Sequence, residues 1–114
     1  MDNHDKKVLE KIHKHIKAVL KYCDKCQSLH DFEEDSMRVE ACVFNLMQIG
    51  ELAKTDLSET AKTEIKTIPW KQMYGMRNRI VHGYDGVEMS IVWDTIKYDL
   101  PALRKELEKY LMMP

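Results

Sequence analysis

The chain has 114 residues, of which 44% are hydrophobic and 32% charged, a balance that excludes a disordered protein and is typical of a globular one. At this length we expect one domain, residues 1–114, with a modest hydrophobic core. The formal net charge of -1, from 18 basic and 19 acidic residues, excludes a protein that coats nucleic acid through charge alone. It does not exclude an enzyme that binds a few phosphates locally.

The cysteines and the N-terminal segment favour a cytoplasmic protein. The chain has 3 cysteines, an odd count that does not suit a disulfide framework, so a reducing compartment is the simplest interpretation. The N-terminal segment lacks the uninterrupted apolar stretch of a secretion signal. Because nothing in the chain approaches the roughly 18 consecutive apolar residues of a membrane span, we expect no membrane partner.

Hydrophobic residues recur at steps of three and four along most of the chain, which is the periodicity of helices packed on a core. The pattern predicts four main helices and one short connecting helix, over residues 3–27, 36–55, 67–82, 87–111 and 58–66 respectively. Pro101 should kink or divide the last main helix. The polar segment 28–35 should form a loop or a short helical turn, with Asp35 or Ser36 capping the second main helix. No segment alternates as a strand does, so we predict an all-α, antiparallel bundle of four main helices.

The third main helix ends in the segment that carries chemistry. Pro69 fits its first position, and Gly83 stands where a left-handed C-terminal residue is expected. Four residues separate Arg77 from His82 near this end. An arginine fork matches a phosphate and stabilises extra charge on phosphorus, and a histidine exchanges protons near neutral pH. This pair suits metal-independent RNA cleavage, in which the ribose 2'-hydroxyl attacks and a 2',3'-cyclic phosphate remains.

The spacing of the pair restricts its geometry. On a straight helix Arg77 and His82 lie about 140° out of alignment and do not meet. They converge if His82 has left the last helical turn, or if two chains share a cleft. Asn78 lies four residues before His82 and is placed to orient its imidazole. The spacing alone favours a plainer alternative, in which His82 balances the helix dipole and Arg77 forms a surface ion pair.

Several ordered motifs resemble the HepT-like toxins of the HEPN superfamily. The motifs are Ile49-Gly-Glu-Leu-Ala53, Ile68-Pro-Trp70, Met76-Arg-Asn-Arg-Ile-Val-His-Gly-Tyr84, Gly86-Val87, Ile91-Val-Trp93 and Asp99-Leu-Pro101. The resemblance covers roughly residues 40–107. It implies an all-α homodimer that cleaves RNA through an Arg-x4-His-x-Tyr motif, with Arg77 and His82 as catalytic residues at a cleft between two protomers. It also implies the toxin half of a type VII toxin–antitoxin module, whose cognate partner is a minimal nucleotidyltransferase antitoxin.

The resemblance assigns a separate role to Tyr84. In toxins of this kind the partner nucleotidyltransferase modifies the motif tyrosine with AMP, which silences the nuclease. Anionic groups added beside an active site would repel and block RNA. The alternative is that Tyr84 packs its turn onto the bundle with its hydroxyl in water.

Three further residues are candidates for supporting roles. Glu51 follows Gly50 in an almost wholly apolar helix, and it either reaches the active-site arginine or closes a structural ion pair. Lys71 and Arg79 belong to the basic stretch of residues 61–82, which also contains Lys62 and Lys66 and would concentrate RNA near the reactive pair.

The sequence predicts neither a metal nor a cofactor. Cys23-x-x-Cys26 lacks a second pair of ligands, so this pattern does not favour a zinc site. His13 and His15 are two residues apart and point to different helix faces. We expect RNA, and not DNA, as the substrate.

Two rival functions remain open on the sequence alone. The bundle could be a non-catalytic binding or substrate-presenting subunit for a nucleotidyltransferase, or a purely structural dimerisation bundle. An inert domain has no need for the ordered Arg77, Asn78 and His82, which favours the nuclease.

Overall fold

The computed structural model describes residues 2–82 and 88–111, with their side chains except those of residues 79–82. Within this part of the chain every regular element is helical. The helices are α1 (Asn3–Tyr22), α2 (Leu29–Glu33), α3 (Ser36–Glu51), α4 (Glu59–Glu64), α5 (Trp70–His82), α6 (Met89–Asp94) and α7 (Leu100–Tyr110). Two π-helical turns, Leu52–Asp56 and Thr95–Asp99, follow α3 and α6. The all-α prediction is confirmed, with α1, α3, α5 and the combined α6–α7 segment as the four main helices.

Side-chain caps fix where the first three helices begin. The carboxylates of Asp2 and Asp35 accept backbone amides in the first turns of α1 and α3, and the Ser28 hydroxyl does the same for α2. Asp35 is therefore the cap of α3. Helix α1 ends at Tyr22, earlier than its predicted end, and α2 is the short helical turn that the sequence gives as one alternative for segment 28–35.

Helix α5 begins at Trp70, one residue after Pro69, which the sequence predicts as the first helical position. The carbonyl of Pro69 accepts the amide of Met73 at 3.2 Å, so Pro69 precedes the first helical residue, Trp70. The indole nitrogen of Trp70 donates to the carbonyls of Lys62 and Ile65, at 3.2 and 3.1 Å. These bonds tie the start of α5 to the end of α4, and they position the helix that carries the predicted reactive pair.

The last main helix is divided as Pro101 predicts. Helix α6 begins at Met89, and the π-helical turn that follows it leads into α7. Pro101 lies in the first turn of α7, where its missing amide removes little helical hydrogen bonding.

The core lies between α1, α3 and α7, with α5 packed on the other side of α3. The apolar stripe of α1 is buried, and Phe32 stacks on Trp93 with ring centroids 5.6 Å apart. Trp93 is thus a core residue, as the helical pattern indicates. Among the described residues, no helix combines the length and the apolar character that crossing a membrane requires.

Candidate active site

The main chain of α5 carries both members of the predicted reactive pair. The helix continues to His82, so the backbone of His82 is still in the last helical turn. The first of the two predicted ways in which Arg77 and His82 could converge, the departure of His82 from the helix, is therefore not observed. On such a helix the two positions remain about 140° out of alignment. The side chain of His82 lies outside the described residues, as do Tyr84 and the side chain of Arg79.

Arg77 is held by an ion pair across two helices. Its Nε lies 2.8 Å from Oε2 of Glu51, at the end of α3, and the side chains are 24% and 42% exposed. The contact is short enough for a charge-assisted hydrogen bond, and the partial burial of Arg77 limits screening by water. The residue pair therefore restricts the guanidinium to one orientation while part of it still faces solvent.

Gly50 makes this approach of α3 to α5 possible. A Cβ atom built on Gly50 would lie 2.5 Å from Cβ of Arg77 and 3.1 Å from the carbonyl oxygen of Met73. No ordinary side chain fits there without moving α5 outward. The buried glycine thus lets the backbone of α5 lie against α3, which brings Arg77 within reach of Glu51.

Asn78 contacts the arginine beside it. Its Oδ1 accepts a hydrogen bond from Nη1 of Arg77 at 3.2 Å. Two of the three guanidinium nitrogens are thereby engaged, by Glu51 and by Asn78. The expected contact between Asn78 and His82 involves a side chain outside the described residues, and it stays a prediction.

The basic stretch before the pair is less uniform than its sequence indicates. Lys62 is largely buried, lies over the ring of Tyr74 at 5.2 Å from its centroid, and contacts Glu59 at 3.3 Å. Lys71 is exposed on α5. Lys71 therefore remains available to a phosphate, whereas Lys62 serves the packing of α4 on α5.

The remaining histidines have protein partners. His13 contacts Glu108 at 3.3 Å, and this hydrogen bond lowers the pKa of the Glu108 carboxyl. His15 bonds to Asn45 at 2.7 Å, which satisfies one polar group of the apolar α3. His4 and His30, for which the sequence shows no partner, contact the Asp56 carbonyl and the Glu34 carboxylate.

No group of three possible metal ligands occurs in the portion of the chain that the structure describes. The three cysteines are free, and Sγ of Cys23 lies 3.6 Å from Sγ of Cys42 in the core. The hydrogen bond with Cys23, together with burial, raises the pKa of the Cys42 thiol. These thiols are thus packed groups, with Cys23 buried and Cys26 half-buried.

Comparison with known proteins assigns the chain to a family. The family model described as "Ribonuclease HepT-like" matches residues 9–110. The chain belongs to this ribonuclease HepT-like family. That finding confirms the resemblance carried by the ordered motifs, and the match covers most of α1 and all of the other main helices.

Named relatives of this HepT-like chain come from bacteria and archaea. A protein of Caldanaerobacter subterraneus subsp. tengcongensis, named "Putative RNase TTE0752", is 36% identical over 84 residues, which are 74% of either chain. "Probable ribonuclease HepT" of Thermococcus cleftensis is 35% identical over 79 residues, covering 69% of this chain and 71% of the relative. "Putative RNase MJ0125" of Methanocaldococcus jannaschii is 33% identical over 84 residues, covering 71% of this chain and 72% of the relative. No solved structure matches this HepT-like chain.

Sequence reasoning missed the positioning role of Gly50 in this HepT-like fold. The signal was present, because a glycine inside a long apolar helix destabilises it unless close packing requires the missing side chain. What the sequence could not show is that the backbone in close contact belongs to the turn carrying Met73 and Arg77.

Proposed function

We propose that this protein is a metal-independent endoribonuclease that cleaves RNA with Arg77 and His82. Membership of the ribonuclease HepT-like family supports cleavage of RNA. The observation that carries the choice of Arg77 is its ion pair with Glu51, which the close contact at Gly50 permits. A guanidinium that is held in one orientation at a partly exposed position suits the binding of an anion, which supports a role for Arg77 at the phosphate.

The proposed reaction moves two protons and exchanges one bond for another at phosphorus. The ribose 2'-oxygen attacks, its proton passes to a base, and the phosphorus–2'-oxygen bond forms. The phosphorus–5'-oxygen bond breaks, and the leaving oxygen receives a proton. The products are a 2',3'-cyclic phosphate and a 5'-hydroxyl. His82 acts as acid or base, because imidazole titrates near neutral pH.

Arg77 stabilises the charge that develops on the phosphoryl oxygens. Nε of Arg77 donates to Glu51 and Nη1 donates to Asn78. In the proposed complex, Nη2 donates to a phosphate oxygen. Glu51 is then a positioning residue rather than a catalytic one. Its negative charge also weakens loose binding of anions at this arginine, so RNA must supply further contacts, for which Lys71 and Arg79 are candidates.

The active site is proposed to form between two protomers of a homodimer. Because α5 continues to His82, Arg77 and His82 of one chain diverge around its axis. A two-fold arrangement brings the α5 helices of two chains together, so that the arginine of one protomer and the histidine of the other act on one phosphate. This arrangement accounts for a continuous helix through the motif.

The proposed biological setting is a type VII toxin–antitoxin module. In it this chain is the toxin, and a minimal nucleotidyltransferase is the antitoxin that transfers AMP to Tyr84. The adenylate would add negative charge and bulk two residues from His82, where it would repel RNA. Mass spectrometry of the protein coexpressed with a minimal nucleotidyltransferase antitoxin tests this, and absence of the adduct on Tyr84 would contradict it.

The nuclease mechanism is tested with His82→Ala. We expect the purified variant to fold and dimerise like the wild type and to cleave RNA at least about 100-fold more slowly, the usual contribution of a general acid or base. Wild type and variant are compared with EDTA present, which removes contaminating divalent ions. Cleavage at the wild-type rate by a folded His82→Ala protein would refute the mechanism.

A further inference from the structure

A cleft runs between α5 and the α6–α7 segment. Two cavities, an inner one of about 180 Å³ and an outer one of about 570 Å³, share the lining residues Gln72, Met76, Thr95 and Asp99. The inner cavity is floored by apolar side chains, including Ile49. The outer cavity is bordered by polar and aromatic groups. An apolar interior with a polar rim is the usual form of a site for a small, flat ligand.

The outer cavity lies on the face of α5 that leads to the reactive pair. Lys71 and Gly75 line it, and Asn78 and His82 follow Gly75 at steps of three and four residues. Positions at those steps share one side of a helix. Position 82 is about 10 Å from Gly75 along the helix axis. A nucleotide adjoining a phosphate bound at position 82 would therefore lie within reach of the cleft.

Gly75 keeps the wall of this cleft open. A Cβ atom added to it would meet no atom within 4 Å. A glycine inside a helix costs about 1 kcal/mol relative to alanine. Unlike Gly50, Gly75 is not required by any contact within the described part of the chain. An approaching ligand that packs on the α5 backbone explains why a bare backbone is placed there.

The opposite wall offers stacking and hydrogen-bond acceptors. Tyr98 is 63% exposed, with Lys97 5.3 Å from its ring centroid. Asp99 borders both cavities. Among residues 2–78 and 88–111, no side chain or backbone group pairs with the Asp99 carboxylate. The cleft thus combines an exposed aromatic ring, a carboxylate acceptor and the phosphate-binding candidate Lys71.

We propose that this cleft binds a guanine base next to the scissile phosphate and so determines where the RNA is cut. Tyr98 stacks on the base, Asp99 accepts from its Watson–Crick edge, and Lys71 contacts the neighbouring phosphate. The inference rests on the proposed ribonuclease function and specifies its substrate.

Guanine is the base whose edge matches a carboxylate. A carboxylate accepts hydrogen bonds through two oxygens and donates none. Guanine presents two adjacent donors, N1–H and the N2 amino group, which two carboxylate oxygens can accept together. Adenine, cytosine and uracil each place an acceptor beside their donor, and that acceptor would face a carboxylate oxygen. Unstacked bases of single-stranded RNA are read in this way, by aromatic stacking and by their Watson–Crick edge.

The test uses oligonucleotides with a single cleavable ribose in an otherwise deoxyribose chain. Guanine, adenine, cytosine or uracil is placed on one side of the scissile phosphate, and then on the other. We expect wild type to favour guanine at one of the two positions by about tenfold in kcat/KM, the discrimination of a good bidentate contact. Asp99→Asn should reduce that preference to within about twofold. Tyr98→Ala should slow cleavage beside every base.

Asp24→Asn is the matched control, since it removes the same charge from an exposed position after α1. It should keep the guanine preference. Cleavage by wild type beside all four bases at equal rates would overturn the guanine subsite, although the proposed nuclease activity would stand.

If wild type cleaves none of the oligonucleotides, the proposed function fails, and binding at the subsite is then measured by nuclear magnetic resonance. Guanosine 5'-monophosphate should then shift the Gly75 amide in wild type but not in Asp99→Asn, and equal shifts with adenosine 5'-monophosphate would overturn the proposal.

Discussion

At the scale of single residues, two glycines in helices have opposite reasons to be there. Gly50 is buried, and a side chain at this position would collide with Arg77. Gly75 faces open space on α5. The intrinsic preference of the helix for alanine is the same in both cases, so any difference between their alanine variants reports the tertiary contact alone.

Gly50→Ala should therefore destabilise the protein, and Gly75→Ala should stabilise it. We expect Gly50→Ala to lower the free energy of unfolding by about 1–3 kcal/mol, as overpacking does, because the added methyl pushes α5 away from α3. Gly75→Ala should raise it by up to about 1 kcal/mol. Urea unfolding followed by circular dichroism measures both values. Displacement of Arg77 by about 1 Å should also slow RNA cleavage by Gly50→Ala about 100-fold. Equal stability of the two variants would show that α3 and α5 are not in close contact at Gly50.

At the scale of the element, a carboxylate of α1 holds the serine that caps the N-terminus of α4. Asp5, buried on α1, accepts the Ser58 amide at 2.9 Å and its hydroxyl at 2.6 Å. The Ser58 hydroxyl oxygen in turn accepts the Ala61 amide and caps α4. The side-chain hydrogen bond from Ser58, followed by the backbone one, holds the pKa of Asp5 below its ordinary value of 3.8. One buried carboxylate thus connects α1 to the segment that precedes α5.

Asp5→Ala should cost about 1–3 kcal/mol of stability at neutral pH, because it leaves two donors of Ser58 without their partner. The pKa of Asp5 is lower in the folded protein than in the unfolded chain, so its contribution is present above the ordinary value and is lost as the pH falls through the folded one. The stability difference between wild type and Asp5→Ala should therefore shrink as the pH falls below about 4. Thermal unfolding between pH 7 and pH 3 measures it, with Asp24→Ala as an exposed control that should change little. A difference that stays constant with pH would mean that Asp5 does not act as an ionised acceptor.

At the scale of the whole molecule, the question is whether one chain holds a complete active site. Helix α5 is continuous to His82 and packs on α3 through the side that carries Arg77. The opposite side of α5 borders the open cleft. A single protomer thus organises the arginine, and a second copy is the proposed source of the histidine for the same phosphate.

Mixing two inactive variants separates a shared site from one within a single chain. Arg77→Ala and His82→Ala are unfolded together and refolded in equal amounts, so that about half of the dimers contain one chain of each. In a shared site, one of the two sites of each mixed dimer keeps both residues. The mixture should then recover about a quarter of the wild-type activity. Each variant refolded alone should remain inactive. No recovery, with mixed dimers demonstrated by mass spectrometry, would place both residues of each site in one chain.

Helix existence was predictable because its causes are local. Three local features predicted the helices, and the structure confirms each of them. They are the recurrence of apolar residues every three or four positions, the cap at Asp35 and the break at Pro101. The ends were less accurate. Helix α1 stops at Tyr22, although cysteine and lysine residues after it continue a pattern compatible with a helix. Its end depends on how the following turn packs, which periodicity does not report.

What the sequence by itself determined is the helical class, the order of the main helices and the membership of the HepT-like family. Only the tertiary structure decided that Glu51 pairs with Arg77, that Gly50 permits this, and that Asp5 holds Ser58. The physical reason is the distance along the chain. Periodicity and capping are short-range, whereas these contacts join residues 26 to 53 positions apart, and which of them meet depends on the packing of whole helices.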